Sequence, residues 1–543
     1  MKAYLREKIT AALASTGIVP ASPVSFEKPR QAGHGDLTTN IAMIVAKQTG
    51  RKSRELAALI VAQLDPDPSL VAAVEVAGPG FINFSFTGDY YLRQLEELLR
   101  SADSYGRSAV GEGRKVQVEF VSANPTGPLT VGHGRGAVFG DTIARMLEWT
   151  GHSVDREYYF NNAGRQMRIL GDSVRHRYLE LLGDRLEFPE DYYQGEYIRE
   201  IARHLVASDG DRLRGEPAEG KFKDQAETEI FADIKKTLGT LGIVFQSFYN
   251  ENWLYEQGKI TEVVDELRAK GLAYDSEGAV WFRTSALGLE KDKVIVKSTG
   301  EPTYRLPDIA YHREKFRRGY DLMIDVFGAD HIATFPDVLA ALKALGMDER
   351  RVTVLIHQFV TILQDGEVVK MSTRKANFIT LDELIDEVGA DVVRYFFLMR
   401  TISSHLNFDL GLAKKHSDEN PVYYLQYAYA RISSILRYAG EATAGAAPGF
   451  DPALLSSTAE TDLIKTLLLF PETVESCALA YEPHRLADYL QGVATAFHRF
   501  YHECRVVTED APLTRSRLAL SHAARSVLRN GFVILGISAP EQM

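Results

Sequence analysis

The stretch that begins at Lys115 constrains the fold most, because it repeats the order strand, turn, helix. VQVEFVS reads as a short apolar strand, NPTGPLTVGHG as a turn-rich loop, and RGAVFGDTIARMLEWTG as a helix that ends at Gly151. The strand SVDREYYF comes next, and the later strands DLMIDVFG and VTVLIHQFVTIL alternate with helices such as FPDVLAALKALG. Alternation of this kind predicts a doubly wound parallel sheet.

Breaks in this pattern divide the chain into three predicted domains. Residues 1–108 combine amphipathic helices with the alternating run VEVAGPGFINFSF, which predicts a small α+β domain before a linker rich in glycine and charge. Residues 109–408 form the Rossmann-type sheet domain, with insertions at roughly 170–290 that include the strand pair LAYDSEGAVWFR. Residues 409–543 read as helices only, so the overall class is α/β with an all-α C-terminal domain.

Bulk properties exclude several classes of protein. The chain has only two cysteines, Cys477 and Cys504, which excludes a disulfide framework and a multi-cysteine zinc site. The sequence shows neither a signal peptide nor an apolar run that could span a membrane, so we expect a cytoplasmic protein without a membrane partner. A net charge of −11 argues against indiscriminate coating of nucleic acid but allows a specific RNA partner. We expect no DNA partner.

The first motif is VEFVSANPTGPLTVGHGRG, residues 118–136, where a strand ends and a helix begins near Gly132 and His133. Ligands of open α/β sheets bind beyond the carboxyl ends of the strands, and helix N-termini favour phosphate oxygens. Gly132 would let a flat base approach the backbone, and His133 can donate a hydrogen bond to phosphate. Alone, the segment could equally be a polar loop that caps a helix.

The second motif is GEVVKMSTRKANF, residues 366–378, which follows a predicted hairpin with its turn at Asp365 and Gly366. Its cationic and hydroxyl side chains could donate to phosphates. Alone, it is equally well a solvated basic loop. These side chains belong to Lys370, Ser372, Arg374 and Lys375.

Together the two motifs resemble the signatures of class I aminoacyl-tRNA synthetases. TVGH is similar to HIGH, and KMSTR is similar to KMSKS, in the order that the family has them. In that family both loops stabilise the pyrophosphate of ATP as the amino-acid carboxylate attacks, by positioned charge rather than by a covalent nucleophile. The HIGH-like segment comprises Ala123, Asn124, Pro125, Thr126, Gly127, Pro128, Leu129, Thr130, Val131, Gly132 and His133.

Two positions depart from the family pattern. Thr130 stands where the first histidine of HIGH would be, and Thr373 stands where the second lysine of KMSKS would be. The resemblance implies that Thr130, His133, Lys370, Ser372 and Arg374 are catalytic and that Met371 also contacts ATP.

VFGADH, residues 326–331, resembles the ribose-binding element of the same class. Gly328 would allow close approach of the nucleotide, and Asp330 would accept hydrogen bonds from the ribose hydroxyls. In isolation the segment would read as a surface turn after a strand. Its place between the two signatures favours ribose binding.

Four further segments resemble arginyl-tRNA synthetases in particular. A guanidinium needs carboxylates, and Glu119, Asn124, Tyr304 and Asp308 match the family's arginine-binding residues in order and spacing. Capping of a helix is the alternative for Asp308, and packing is the alternative for Tyr304. EYYFNNAGRQM, residues 157–167, is close to another family signature, with Asn162 where aspartate is usual.

The other two segments concern tRNA. GDLTTN and GPGFINF resemble the family's N-terminal domain, which makes Phe81 and Asn83 candidates for stacking on and reading an unpaired base. NPVYYLQYAYAR resembles the start of the anticodon-binding domain, which points to Tyr424 and Tyr427. All four residues could instead belong to the core or to turns.

The last helix has an apolar face and a basic face, as a surface helix that contacts RNA phosphates would have. Any solubilised surface helix can show the same pattern. The apolar residues are Leu520, Ala523, Ala524, Val527 and Ile534, and the basic ones are Arg515, His522, Arg525 and Arg529. Arg525 and Arg529 are the tRNA candidates.

The resemblance covers essentially the whole chain. It implies activation of L-arginine by Mg²⁺-bound ATP, transfer of the arginyl group to tRNA(Arg), a need for tRNA before the adenylate forms, a monomer, and no structural zinc. Cysteinyl-type and glutamyl-type synthetases fit less well, because the chain lacks the zinc ligands of the first and has acids where the second needs bases. A non-catalytic tRNA-binding paralogue and a small-molecule nucleotidylyltransferase are the remaining alternatives.

Overall fold

The computed structural model describes residues 1–29, 33–162, 164–369, 379–442 and 450–543, except for the side chains at 330, 441 and 442. These residues form two compact units. The first joins 1–103 with 435–469 and 496–526, and the second joins 104–434 with 470–495 and 527–543.

The strands are numbered in chain order. They are β1 (Leu37–Thr39), β2 (Val71–Ala77), β3 (Phe81–Phe86), β4 (Lys115–Phe120), β5 (Ser153–Phe160), β6 (Ser247–Asn250), β7 (Ala273–Ser276), β8 (Ala279–Phe282), β9 (Lys293–Val296), β10 (Leu322–Gly328), β11 (Val352–His357), β12 (Val360–Gln364), β13 (Glu367–Val368) and β14 (Leu406–Asp409).

The helices follow the same convention. They are α1 (Lys2–Ser15), α2 (Ile41–Thr49), α3 (Ser53–Gln63), α4 (Gly88–Ser101), α5 (Val131–Trp149), α6 (Gly164–Leu181), α7 (Glu196–Asp209), α8 (Lys223–Thr240), α9 (Asn252–Glu256), α10 (Lys259–Ala269), α11 (Arg305–Arg317), α12 (Phe335–Ala344), α13 (Leu381–Val388), α14 (Ala390–Leu398), α15 (Leu410–Ala413), α16 (Pro421–Ala442), α17 (Thr458–Leu467), α18 (Phe470–Ala480), α19 (Pro483–Glu503) and α20 (Ala511–Leu535).

The second unit is built on a five-stranded sheet in the order β11-β10-β4-β5-β6. All four of its neighbouring pairs are parallel. The chain starts at the central strand β4, moves outward through β5 and β6, and then returns to the other side of β4 as β10. The predicted doubly wound sheet is therefore confirmed, and its direction of winding changes between β4 and β10.

Helix α5 lies against this sheet at very short range. A Cβ atom at Gly140 would come within 2.2 Å of the Phe120 side chain on β4, so only glycine allows this approach. The helix starts at Val131, slightly earlier than the sequence pattern indicates, because Thr130 caps it. It ends at Trp149, shortly before Gly151, whose φ of +86° breaks the helical path.

The segment VTVLIHQFVTIL differs from its prediction as one strand. It forms β11 in the large sheet and β12 in a separate sheet with β13 and β14. The chain is held between the two strands by buried Arg135 of α5, whose guanidinium donates to the Gln358 carbonyl at 2.9 Å. The hairpin predicted after it is confirmed, with Asp365 and Gly366 at φ values of +53° and +81°.

The predicted insertion region contains most of α6, the helices α7 to α10 and the predicted strand pair β7-β8, which β9 extends just beyond it. It also contains β6, an edge strand of the large sheet, so the prediction is wrong for that strand. Past Asp409 the elements of the described chain are helices, as expected. The apolar face predicted for α20 is buried, with Leu520, Ala523, Ala524, Val527 and Ile534 all at 0% exposure. None of the described helices is both long enough and apolar enough to cross a bilayer.

The first unit contains the antiparallel sheet β1-β3-β2, and β2 and β3 arise from the alternating run predicted as strand. Helices α1, α2 and α3 supply its core through residues such as Leu5, Ile41 and Ile60. Within the same unit, the Lys465 ammonium lies 2.7 Å from the Asp36 carboxylate.

Candidate active site

The strand ends of β4 and β10 bring the predicted site residues to one edge of the large sheet. The two strands are neighbours, and Val326 of β10 is in register with Phe120 of β4. A change of winding direction leaves a crevice at this edge, which is where doubly wound sheets bind ligands. Glu119 lies at the end of β4, and Gly328 ends β10.

The chain leaves β4 through a strained turn. Val121 and Ser122 have φ values of +67° and +41°, in the left-handed region that a β-branched residue such as valine rarely adopts. Three hydrogen bonds hold the turn: the Ser122 hydroxyl donates to Glu119 at 3.0 Å, the Ser122 amide donates to the Phe120 carbonyl, and the Tyr159 amide donates to the Ser122 hydroxyl oxygen. The strain is thus supported from both β4 and β5.

Glu119 is buried and already paired. The Lys315 ammonium lies 2.6 Å from Glu119 Oε2 and 2.6 Å from Asp325 Oδ1. Burial raises the pKa of Glu119, while the charge of Lys315 opposes that rise. Glu119 is therefore one member of a buried charge network and is not an isolated acid waiting for a ligand.

The same network reaches Asp308. His312 lies 2.9 Å from Asp325 through Nε2 and 2.8 Å from the Asp308 carbonyl through Nδ1. Burial favours the neutral form of Asp325, but Lys315 and His312 overcome this and hold its pKa below the ordinary value. Helix α11, which carries Asp308, His312 and Lys315, thereby connects two of the predicted arginine-binding acids.

Asp308 itself has no such partner. Among the described residues, its carboxylate makes no hydrogen bond or ion pair, and its side chain is partly exposed. Burial raises the pKa of Asp308 to about 7; His312 opposes the rise, and the charges of Glu119 and Glu251 add to it. Water in the pocket would moderate this effect, because the side chain keeps some exposed surface.

The alternatives considered for Asp308 and Tyr304 receive no support. Helix α11 begins at Arg305 with Tyr304 at the N-cap, and no side chain caps it. Asp308 lies one position past Pro307, inside the helix. Tyr304 is 73% exposed, so it is not packed in the core.

Glu251 is a site residue that the sequence analysis missed. It directly follows β6 and is buried, and it accepts a hydrogen bond from the Tyr159 hydroxyl at 2.9 Å. Burial raises its pKa, against the lowering effect of the Tyr159 and Tyr255 hydroxyls. A clue was present in the sequence, since FYNEN places an acid directly after an aromatic strand.

The TVGH segment forms the start of α5. Thr130 is the N-cap, its hydroxyl oxygen accepts from the His133 amide, and His133 Nδ1 accepts from the Thr130 amide at 3.2 Å. Because Nδ1 is an acceptor, the neutral ring carries its proton on Nε2, the donor form. Among the described residues, a Cβ atom at Gly132 would meet only the Thr130 hydroxyl oxygen, at 3.7 Å, so this part of the chain leaves that face of the helix end open.

The residues that follow the second signature, Thr380 and Leu381, are hydrogen-bonded to the first signature segment. The Leu381 amide donates to the Leu129 carbonyl at 2.8 Å, and Thr380 pairs with Thr130. Thr380 also caps α13. The signature residues Lys370, Met371, Ser372 and Arg374 themselves lie outside the described residues, as does Thr373.

The loop between β4 and α5 is held by tyrosines. Tyr158 donates to the Ala123 carbonyl and Tyr197 to the Thr126 carbonyl, both at 2.7 Å. A Cβ atom at Gly127 would lie 2.8 Å from the Tyr197 hydroxyl. Glycine is thus required where the insertion helix α7 contacts the loop.

At the end of β10, the Phe327 ring stacks on the His331 ring with centroids 4.9 Å apart. Gly328 has a φ of −69°, which any residue can adopt, so the backbone conformation does not require glycine here. The Asp330 side chain is outside the described part of the chain.

In the signature at 157–167, some residues make structural contacts, and one contacts a predicted substrate residue. Glu157 is buried and binds both Arg318 and Tyr311 beneath the sheet, with the Arg318 Nη2 at 2.7 Å. Asn162 donates to Glu227 at 2.9 Å. Gln166 contacts the predicted substrate residue Asn124.

The tRNA candidates are distributed over several elements. In the first unit, Asn83 is buried within the sheet at 5% exposure, which favours the core interpretation, and Phe81 is half-buried. Tyr424 donates to Thr495, while Tyr427 stacks on Tyr423 and is capped by the Arg431 guanidinium.

Both basic candidates lie on α20. Arg525 is half-buried and belongs to the first unit, whereas Arg529 is exposed and belongs to the second.

Comparison with known proteins covers the whole chain. Three family models match: "Arginyl tRNA synthetase N terminal domain" at residues 3–86, "tRNA synthetases class I (R), catalytic domain" at 94–394, and "DALR anticodon binding domain" at 425–543. A curated relative from Desulfotalea psychrophila, named arginine–tRNA ligase, is 54% identical and covers 96% of this chain and 95% of its own.

Two other proteins extend the comparison. An arginine–tRNA ligase from Chlorobium phaeobacteroides is 50% identical over the full length of both chains. The solved structure of Thermus thermophilus arginyl-tRNA synthetase superposes with a TM-score of 0.79, with 23% identity and 99% of each chain covered. That last likeness concerns the fold.

Proposed function

The chain belongs to the arginyl-tRNA synthetase family of class I aminoacyl-tRNA synthetases, and we propose that it joins L-arginine to tRNA(Arg) at the expense of ATP. The observation that carries this proposal is the acid cluster at the edge of the large sheet. Asp308 and Glu251 both have raised pKa values there, and Asp308 has no partner among the described residues. A cationic substrate would relieve the electrostatic cost of these carboxylates.

Arginine is placed by its two ends. A guanidinium is planar and permanently charged, so it pairs with carboxylates in two-pronged hydrogen bonds. Asp308 takes this end, with Glu251 and the Lys315-bound Glu119 close enough to act on its charge. Asn124 holds the α-carbon end, and exposed Tyr304 covers the side chain.

ATP lies against the start of α5. His133, with its proton on Nε2, donates to a phosphate oxygen, and the open face at Gly132 admits the adenine. Thr130 acts mainly by capping the helix and setting the tautomer of His133. Gly328 and Asp330 bind the ribose, and Lys370, Met371, Ser372 and Arg374 complete the phosphate site.

The chemistry is two successive displacements. The arginine carboxylate oxygen attacks the α-phosphorus of ATP, the bond to the bridging oxygen breaks, and pyrophosphate leaves with the electron pair. A hydroxyl of the terminal adenosine of tRNA then attacks the adenylate carbonyl, loses its proton, and expels AMP. The protein accelerates the first step by orientation and by positioned cations and donors.

Mg²⁺ enters with ATP as part of that substrate. No group of three or more histidine, cysteine, aspartate or glutamate residues able to hold a metal occurs in the described chain. The phosphate oxygens would therefore supply most of the ligands, as is usual for Mg²⁺. No residue set for structural zinc is proposed.

The three-domain division assigns the contacts with tRNA. Residues 1–108 would contact the outer corner of tRNA, 109–408 would bind its 3′ end, and 409–543 would bind the anticodon. The stack of Tyr423, Tyr427 and Arg431 on α16 is suited to an unpaired base, because aromatic rings and guanidinium planes stack on bases. We infer a cytoplasmic monomer.

The test is ATP–pyrophosphate exchange with each of the amino acids, with and without tRNA. Exchange with arginine alone, and only when tRNA is present, is the expected result. Exchange with another amino acid would refute the arginine pocket. Binding of tRNA with no exchange for any amino acid would establish a non-catalytic paralogue.

A further inference from the structure

The family signature at 157–167 forms hydrogen bonds with residues 122–124, at the start of the loop that leads from β4 to α5. Tyr159 binds the Ser122 hydroxyl oxygen through its amide at 3.1 Å, and Tyr158 binds the Ala123 carbonyl at 2.7 Å. At the start of the next helix, α6, Gln166 Oε1 accepts from Asn124 Nδ2 at 2.5 Å. Three consecutive residues, 122–124, are thus each held by a different residue of the signature.

The contact with Asn124 differs in kind from the other two. Ala123 is held by its backbone carbonyl and Ser122 by its hydroxyl oxygen, whereas Asn124 is held by its carboxamide. A carboxamide has a donor end and an acceptor end, so a partner on one end decides which chemistry the other end presents. Because Gln166 takes the NH₂ group, the Asn124 carbonyl oxygen faces away from it.

An acceptor at this place suits one group of the substrate. The guanidinium belongs to the acid cluster, and the carboxylate must reach the phosphate at the start of α5. Asn124 lies in the loop that connects β4, which carries Glu119, to α5, which Thr130 caps. The α-ammonium group is the remaining cationic donor of arginine, and it requires an acceptor.

We propose that Gln166 is a positioning residue that turns the Asn124 carbonyl oxygen toward the α-ammonium group of arginine. This inference rests on the proposed role of Asn124 in binding arginine. It gives a chemical purpose to the signature residue at the start of α6, which lies on the exposed surface and contributes nothing to the core.

Two variants of Gln166 test whether Asn124 needs a hydrogen-bond acceptor at this position. Gln166→Leu removes the hydrogen-bond partner, while Gln166→Glu keeps an acceptor and removes any donor. Gln194→Leu and Gln194→Glu are matched controls, since Gln194 is also an exposed glutamine and, within the described part of the chain, its amide donates only to the Pro189 and Tyr192 carbonyls. Both substituted positions are at the surface, so the variants should fold.

The measurement compares arginine with 5-guanidinopentanoic acid, the same molecule without its α-amino group. KM for arginine and the inhibition constant of the analogue are measured in tRNA-dependent exchange. For Gln166→Leu we expect KM for arginine to rise roughly three- to tenfold, the range of one hydrogen bond, with kcat, KM for ATP and the analogue constant unchanged. Gln166→Glu and both controls should keep the preference for arginine over the analogue.

Equal weakening of arginine and the analogue in Gln166→Leu would overturn the proposal, because it would indicate a packing role. Unchanged constants for both ligands would overturn it as well. Asn124→Ala tests the premise separately: if that variant leaves KM for arginine unaltered, the assignment of Asn124 fails, whatever Gln166 does.

Discussion

The ionised carboxylate of Asp308 lowers the stability of the folded protein. Its pKa rises from 3.8 to about 7, first because of burial and then because of the nearby carboxylates Glu119 and Glu251. A carboxyl with a raised pKa lowers stability as pH increases, because the unfolded chain releases its proton more readily than the folded chain. The cost is absent below the ordinary pKa, grows between the two values, and is complete above about pH 7.

Asp308→Asn should therefore uncouple stability from activity. At pH 8 without arginine, we expect the variant to be more stable by ~1–2 kcal/mol, a value reduced for the partial exposure of the side chain. Its KM for arginine should rise at least about 100-fold, the loss expected for a buried charge-assisted contact, while ATP binding stays close to that of the parent. Denaturant unfolding and exchange kinetics measure the two effects, and a variant that is both less stable and fully active would contradict the assignment.

The same carboxyl predicts a pH dependence of substrate use. In the proposed function, arginine pairs with the ionised form of Asp308, which becomes the main form as pH rises through about 7. KM for arginine should fall between pH 6 and pH 8, whereas KM for ATP should change little. A KM for arginine that stays constant over this range, or that rises with pH, would argue against Asp308 as the ligand.

Glu251 provides a second test of the acid cluster. Glu251→Gln keeps the shape and hydrogen-bonding capacity of the side chain but removes its charge. We expect about a tenfold increase in KM for arginine and no change in KM for ATP. Glu256→Gln is the control, because Glu256 is exposed on the same short helix, α9. Similar kinetics for the two variants would remove Glu251 from the site.

At the scale of elements, the start of α5 contains both the cap of the helix and the histidine proposed to bind phosphate. Thr130 caps the helix and binds the His133 ring, so the residue that stands in place of the first family histidine contacts His133, the proposed catalytic one. The substitution of histidine by threonine thus exchanges a direct donor for a helix cap. The strained turn at Val121 and Ser122 lies at the start of the loop that leads to α5. It is held by the Tyr159 amide of β5, which donates to the Ser122 hydroxyl oxygen.

Substitutions of Thr130 can resolve these contributions. Thr130→Ser keeps the hydroxyl and should retain both stability and exchange. Thr130→Val removes it, and we expect a loss of ~1 kcal/mol of stability from the cap. Because the Thr130 hydroxyl also lies 3.2 Å from His133 Nδ1, the ring loses that contact, and exchange should slow by about tenfold, the effect of one hydrogen bond, beyond what partial unfolding explains. Normal exchange in a destabilised Thr130→Val would restrict Thr130 to capping.

At the scale of the whole molecule, the second unit is held together by a buried arginine. Arg394 of α14 donates to Asp141 on α5 at 2.7 Å, to the Leu535 carbonyl at the end of α20, and to the Leu241 carbonyl after α8. It is 1% exposed. Gly536 must be glycine beside it, since a Cβ atom there would lie 2.3 Å from the guanidinium.

Arg394→Met should be among the most damaging substitutions far from the site. It leaves two carbonyl groups without their donor and takes one of three arginines from Asp141, so we expect a loss of about 3–5 kcal/mol. Arg350→Met is the control, because its ion pair with Asp348 is exposed and should contribute less than about 1 kcal/mol. Comparable unfolding midpoints for the two variants would show that the buried contacts of Arg394 are not needed for stability.

The sequence by itself determined the fold class, the order of elements and the family. Strand and helix periodicities are local, and turn signals such as Asp365-Gly366 act over two residues, so they can be read directly along the chain. The signatures were identifiable for the same reason, because helix caps and phosphate-binding loops need particular residue types at fixed short spacings. Glu119, Asp308 and His133 were selected because they match the family's residues in order and spacing.

The tertiary structure alone decided how the acids are used. Lys315 is 196 residues from Glu119 in the chain, and nothing local to either residue indicates that they pair. Glu251 enters the site only because β6 lies beside β5 in the sheet. Whether a buried carboxylate is neutralised or left for a substrate depends on which distant strands and helices become its neighbours. That choice is made by long-range packing, and no pattern of short period encodes it.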